Sequence, residues 1–118
     1  LYHLTLPIRT VSEANTREHW AKKAKRAKEQ RRIVSLTLLP LLPKQIPENC
    51  LITGRLVRVG KRQLDSDNLQ SSFKATRDSI AECIGIDDGD PRYTWIYDQE
   101  KGKEYAVRIT VIIDLKPE

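Results

Sequence analysis

From Asn68 to Ile84 the apolar side chains return at helical spacing. Leu69, Phe73, Thr76, Ile80 and Ile84 fall on one stripe, and Gly85 stands where the helix would end. A helix with one apolar stripe must lay it on a partner surface, and the flanking segments offer a sheet. Cys50 to Val59 is rich in β-branched and apolar residues and reads as a strand, central in its sheet. Gly54 inside it marks either a bulge or a close packing contact. Arg92 to Asp98 and Tyr105 to Leu115 read as two more strands, with Gln99–Lys103 as the turn of a hairpin.

The first part of the chain adds a strand and a helix. Tyr2-His3-Leu4-Thr5-Leu6 alternates and stops at Pro7. Asn15, with Glu18 three positions on, forms a capping-box pattern for a helix from about Thr16 to Leu38. Trp20, Ala24, Ala27, Val34 and Leu38 share one of its faces. Pro40 and Pro43 end it, and Pro47 keeps the connection extended. The order is β-α-β-α-β-β, and the fold class is α+β: a mixed sheet covered by two helices, in a single domain over residues 1–118. Trp20, Phe73 and Trp95 read as core residues rather than stacking platforms for bases.

Composition narrows the function classes. Of the 118 residues, 31% are charged and 39% apolar, a balance that suits a packed globular protein better than a disordered or membrane-spanning one. No apolar run is long enough to cross a bilayer. The first residues lack the basic flank and apolar core of a secretory signal. Cys50 and Cys83 are far apart and share no motif spacing, so packed, reduced thiols in a cytoplasmic protein are expected. The net charge of +5 favours an anionic partner. Much of it lies on the exposed face of the first helix, where Lys22, Lys25, Arg26 and Arg32 stand, and on the loop with Lys61 and Arg62. These six are candidate contacts to a phosphate backbone, with a solvated surface as the plain alternative. Asn15 is a helix cap first and a phosphate or metal-site contact second.

Against this basic background stands Asp65-Ser66-Asp67-Asn68-Leu69-Gln70, with Asp88 twenty-one residues beyond Asp67 in Asp87-Asp88-Gly89-Asp90. Three aspartates without a neighbouring His or Cys make an oxygen-rich donor set, suited to Mg²⁺ or Mn²⁺ and not to zinc. Such an ion, held against a polyanion, is the chemistry of phosphodiester cleavage. Asp67, Ser71, Lys74 and Asp78 follow helical spacings, so Lys74 is a candidate to neutralise charge at the phosphate. Each feature has a bland alternative. From spacing alone the plain reading of Asp65 and Asp67 is as helix caps. Asp87–Pro91 reads first as a turn, and Lys74 with Asp78 as an ordinary surface pair. An EF-hand starting at Asp65 is poorly supported, with Gln70 and Thr76 at its sixth and twelfth positions. His3 and His19 are isolated and carry no catalytic expectation.

The motif Asp65–Gln70, the helix with Lys74 and Asp78, and Gly85-Ile86-Asp87-Asp88 together resemble the RusA family of Holliday junction resolvases, which is common in phages and prophages. The early strand ending in Leu6-Pro7, the basic region with Asn15 and the closing hairpin extend the likeness over the whole chain. The resemblance implies a Mg²⁺-dependent endodeoxyribonuclease in DNA recombination and repair. It would act as a homodimer on four-way DNA junctions, making paired nicks in strands of like polarity. The catalytic and metal-binding carboxylates would be Asp65, Asp67 and Asp88. The family's lysine directly follows the motif, where this chain has Ser71; Lys74 stands three residues later. A bacterial cytoplasm, of a host or a prophage carrier, is the implied location. A two-fold dimer supplies two identical sites for two symmetric cuts, and Leu36–Leu42 is either its interface or core. The alternative is a non-catalytic DNA-binding protein of phage origin whose aspartates are caps alone.

Overall fold

The computed structural model describes residues 1–10 and 20–115. Eight elements follow one another: β1 (Tyr2–Leu6), α1 (Trp20–Leu38), a 3₁₀ turn at Leu39–Leu41, β2 (Cys50–Gly60), α2 (Ser66–Ser72), α3 (Lys74–Ile84), β3 (Tyr93–Lys101) and β4 (Ala106–Leu115). The class is α+β with a four-stranded mixed sheet in the order β1-β4-β2-β3. The Asn15–Glu18 capping box and His19 lie outside the described residues.

Strand β2 is central, as its composition requires. It pairs parallel with β3 and antiparallel with β4. This corrects the expected closing hairpin: β3 and β4 flank β2 on opposite sides. Parallel pairing needs a long crossover, and α2 with α3 provides it between β2 and β3. The short link after β3 crosses the end of β2, where the Gly102 N–H donates to the Gly60 carbonyl at 3.0 Å. The β2–β3 register runs unbroken from Ile52 opposite Tyr93 to Gly60 opposite Lys101, so Gly54 is no bulge. It is a close contact. A Cβ at Gly54 would lie 2.5 Å from the Trp95 ring.

One face of the sheet carries the core. Leu4, Leu6, Ile52, Leu56, Val107, Ile109 and Val111 meet Val34 and Leu38 of α1 and the stripe of α2 and α3. All five residues of that stripe, Leu69, Phe73, Thr76, Ile80 and Ile84, are buried. Phe73, Thr76 and Ile80 are completely so, and the burial of Phe73 and of Ile80 stabilises the fold by roughly 1.5–3 kcal/mol each. Gly85 takes a left-handed conformation at φ 84°, and its N–H closes the helix on Ala81.

The expected single helix is two. The Ser72 hydroxyl donates to the Leu69 carbonyl at 2.7 Å and the Ser71 hydroxyl to the Asn68 carbonyl at 3.3 Å. Side-chain hydroxyls here compete for helix acceptors. Phe73 turns inward at φ −98°, ψ 4° to pack near Tyr97, and α3 restarts at Lys74. The stripe Asp67–Ser71–Lys74–Asp78 is therefore interrupted.

A second correction concerns the first helix. Val34 and Leu38 are buried, but Trp20 is 74% exposed and Ala24 is exposed as well. The first half of α1 lies between two open clefts, one shared with Pro7–Arg9 and one with Ser72–Ala75. The Leu36–Leu42 stretch divides between its two readings. Leu38 is core, while Leu36, Leu39 and Leu41 are exposed.

Candidate nucleic-acid and metal site

Asp65 caps α2, accepting from the Asn68 N–H at 2.9 Å and from the Asn68 side-chain amide at 3.0 Å. The residue before it is pinned to β3. The Gln99 side chain donates to the Leu64 carbonyl at 2.7 Å and accepts from the Leu64 N–H at 2.9 Å. Asp67 lies in the first turn of α2 and is exposed.

Asp88 sits in a different environment. Its carboxylate Oδ2 lies 2.9 Å from Arg77 Nε, too poorly aligned for a hydrogen bond but close enough for an ion pair. Its carbonyl accepts from Trp95 Nε1 at 3.1 Å. The Arg77 guanidinium also donates to the Tyr97 hydroxyl at 2.7 Å and stacks over the Trp95 ring at 5.2 Å. Alternation along β3 puts Tyr93, Trp95, Tyr97 and Gln99 on one face. Tyr93 adds a hydrogen bond from its hydroxyl to the Ile86 carbonyl at 2.9 Å, and burial raises the pKa of that phenol.

The neighbouring acids also have partners. Asp87 Oδ2 accepts from the Gly89 N–H at 3.1 Å. Asp90 is clasped by Arg92 through two side-chain bonds and one backbone bond, which hold its carboxyl down at about 2. With the Asp90 N–H bonded to the Asp87 carbonyl and the Tyr93 N–H to the Asp90 carbonyl, the segment forms consecutive turns.

The donor chemistry of Asp65, Asp67 and Asp88 suits a hard divalent cation, but the three are not gathered into one metal-binding group. Among the described residues no three His, Cys, Asp or Glu side chains are grouped so as to hold a metal ion. Asp88 is already neutralised by Arg77. Lys74 lines a cleft of about 350 Å³ between α1 and α3 with Lys23, Arg31 and Asp78.

The expected backbone contacts divide in a similar way. Lys22, Lys25 and Arg26 line one cleft of about 480 Å³, joined there by Arg9. Arg32 is exposed and pairs with Glu29 at 3.5 Å. Lys61 and Arg62 are exposed on the loop that leads to Asp65. Asn15 lies outside the described residues. His3 bonds Thr110 Oγ1 at 2.9 Å on the sheet. Cys50 is buried and Cys83 half-buried, both free, and burial pushes the Cys83 thiol up. Among the described residues no helix is long and apolar enough to cross a membrane.

Arg77, Trp95, Tyr97 and Gln99 escape a reading of spacing alone. The alternation of β3 places its three residues on a common face, but nothing local pairs that face with Arg77. No protein-family model matches the chain, and no curated protein matches it.

Proposed function

We propose that the chain is a structure-selective endodeoxyribonuclease that cuts four-way DNA junctions by paired nicks, in recombination and repair, with Mg²⁺ or Mn²⁺ as its cofactor. The observation that carries this reading is the position of Asp65 and Asp67. Two carboxylates stand exposed at a helix start, directly after the basic loop of Lys61 and Arg62. Carboxylates at the edge of a cationic surface repel phosphate unless a cation intervenes. A protein that only binds DNA gains a helix cap from Asp65 but nothing at the phosphate from Asp67. The motif and its resemblance to RusA resolvases point the same way.

In this reading Asp65 and Asp67 are the foremost metal-binding residues. Asp88 belongs with them only if it parts from Arg77. Lys22, Lys25, Arg26, Lys61 and Arg62 hold the DNA backbone, and Lys74 contacts phosphate from the α1–α3 cleft. A homodimer supplies the second cut, and the exposed Leu36, Leu39 and Leu41 suit its interface. A bacterial cytoplasm accords with two free thiols.

A second reading, a non-catalytic DNA-binding protein, draws on the Arg77–Asp88 pair and on the absence of a three-acid group among the described residues. Nick mapping separates the two. A labelled junction and a linear duplex of the same sequence are incubated with Mg²⁺ or with chelator. Symmetric nicks in the junction alone, lost with chelator, support the nuclease. Tight junction binding without nicks under Mg²⁺ and Mn²⁺ overturns it in favour of the second reading.

A further inference from the structure

Among the described residues, Arg58 is a buried cation without a counter-charge. It lies near the end of β2 with 6% of its surface exposed. Its Nη1 donates to the Arg62 carbonyl at 2.6 Å and its Nε reaches the Thr10 carbonyl at 3.4 Å. Carbonyls satisfy donors but do not neutralise charge. Among the described residues no carboxylate pairs with Arg58. Its charged neighbours make matters worse. Arg9 stacks on the Tyr105 ring at 4.5 Å, and Lys61 Nζ lies 5.9 Å from the same ring. Burial pushes the Arg58 pKa down, with Tyr105 working against that shift and the nearby Arg9 adding to it, yet a guanidinium does not give up its proton in a protein. Burying such a charge unpaired costs several kcal/mol.

The seat of this guanidinium is specific. A Cβ at Gly60 would fall 2.8 Å from Arg58 Nη1, so glycine there leaves room for the guanidinium. The Thr10 hydroxyl, also buried, has no hydrogen-bond partner. An uncompensated cation and an unused hydroxyl thus belong to one small region. Arg9 also lines the cleft of Lys22, Lys25 and Arg26, so these four cations make a track that starts beside Arg58. A track suits a polymeric anion better than a single small one.

We propose that Arg58, with Arg9 and Lys61, forms a binding subsite for one phosphodiester of a DNA backbone, whose charge neutralises the buried guanidinium. This rests on the DNA-binding part of the proposed function and not on cleavage.

The test compares wild type with Arg58→Met and Arg58→Lys. Anisotropy of a labelled four-way junction is read across a salt series, and thermal denaturation is read with and without inorganic phosphate. Arg58→Met should keep its fold and its Tm, because it removes an unpaired charge. It should bind the junction roughly tenfold more weakly, with the salt slope smaller by about one. Arg58→Lys, which keeps the charge but lacks the fork, should fall between the two. Phosphate should raise the Tm of wild type and not of Arg58→Met. A lower Tm for Arg58→Met with unchanged affinity and slope would make Arg58 a structural staple and overturn the proposal. If Arg58→Met does not fold, Arg9→Ala and Lys61→Ala replace it, and an unchanged slope in both overturns the proposal. If wild type binds no DNA yet phosphate stabilises it through Arg58, the anion subsite stands and the DNA reading falls. If phosphate also has no effect, both fall.

Discussion

Gly54→Ala tests whether the wall behind the candidate site is packed as described. The added Cβ would lie 2.5 and 2.7 Å from Cζ3 and Cε3 of Trp95. The ring cannot easily retreat. It stacks on Tyr93 with centroids 4.9 Å apart, Arg77 lies over it, and its Nε1 is bonded to the Asp88 carbonyl. Overpacking of this kind costs about 1–3 kcal/mol. For a domain of this size that lowers Tm by roughly 4–12 °C. The same substitution in a Trp95→Leu background should behave oppositely. With the ring gone, alanine replaces glycine in a strand interior, a change worth roughly 0.5–1 kcal/mol in favour of alanine. Thermal and urea denaturation of the four proteins of this double-mutant cycle gives the coupling, expected at about 1 kcal/mol or more. Equal destabilisation by Gly54→Ala in both backgrounds would refute the steric reasoning.

Three further outcomes are expected. Asp65→Ala should destabilise the fold by about 1 kcal/mol in urea unfolding through loss of the α2 cap, and Asp65→Asn, which still caps, should recover most of it. Because Arg92 depresses the Asp90 carboxyl from 3.8 to about 2, the pair's contribution is fully present above the ordinary carboxylate value. It is lost as pH falls through that interval. Tm measured from pH 5 to 2 should therefore fall less steeply in Arg92→Gln than in wild type. Lys74→Ala should weaken junction binding and reduce its salt slope by about one, with residual cleavage at saturating protein. Complete loss of cleavage with binding intact would return Lys74 to the chemistry.

Local patterns gave the elements, and longer-range contacts decided how they meet. The five-residue stripe from Leu69 to Ile84 and the left-handed Gly85 were readable because helix periodicity and C-capping are local. The break at Phe73 was not, since it arises from two serine hydroxyls acting together with the pull of the core on one ring. The pairing of β3 was hidden for a related reason. The Gln99–Lys103 segment has turn chemistry, but the α2–α3 crossover had already committed β3 to the far side of β2. At the candidate site, Asp65 could be recognised as a cap from its sequence. The Arg77–Asp88 pair, the Gln99 clamp on Leu64 and the unpaired Arg58 join residues of separate elements, and no spacing rule announces them. Trp20 shows the reverse failure. Its place on an apolar stripe promised burial, but the first half of α1 faces open clefts.

The most direct measurement follows junction binding and junction cleavage together for wild type and Asp67→Asn in Mg²⁺. Asp67 is exposed, so the substitution should leave the fold within about 0.5 kcal/mol of wild type. The nuclease reading predicts that Asp67→Asn binds the junction at least as tightly as wild type and makes no nicks, while wild type nicks both strands symmetrically. Cleavage by Asp67→Asn at the wild-type rate, or no cleavage by either protein with Mg²⁺ or Mn²⁺, would contradict it.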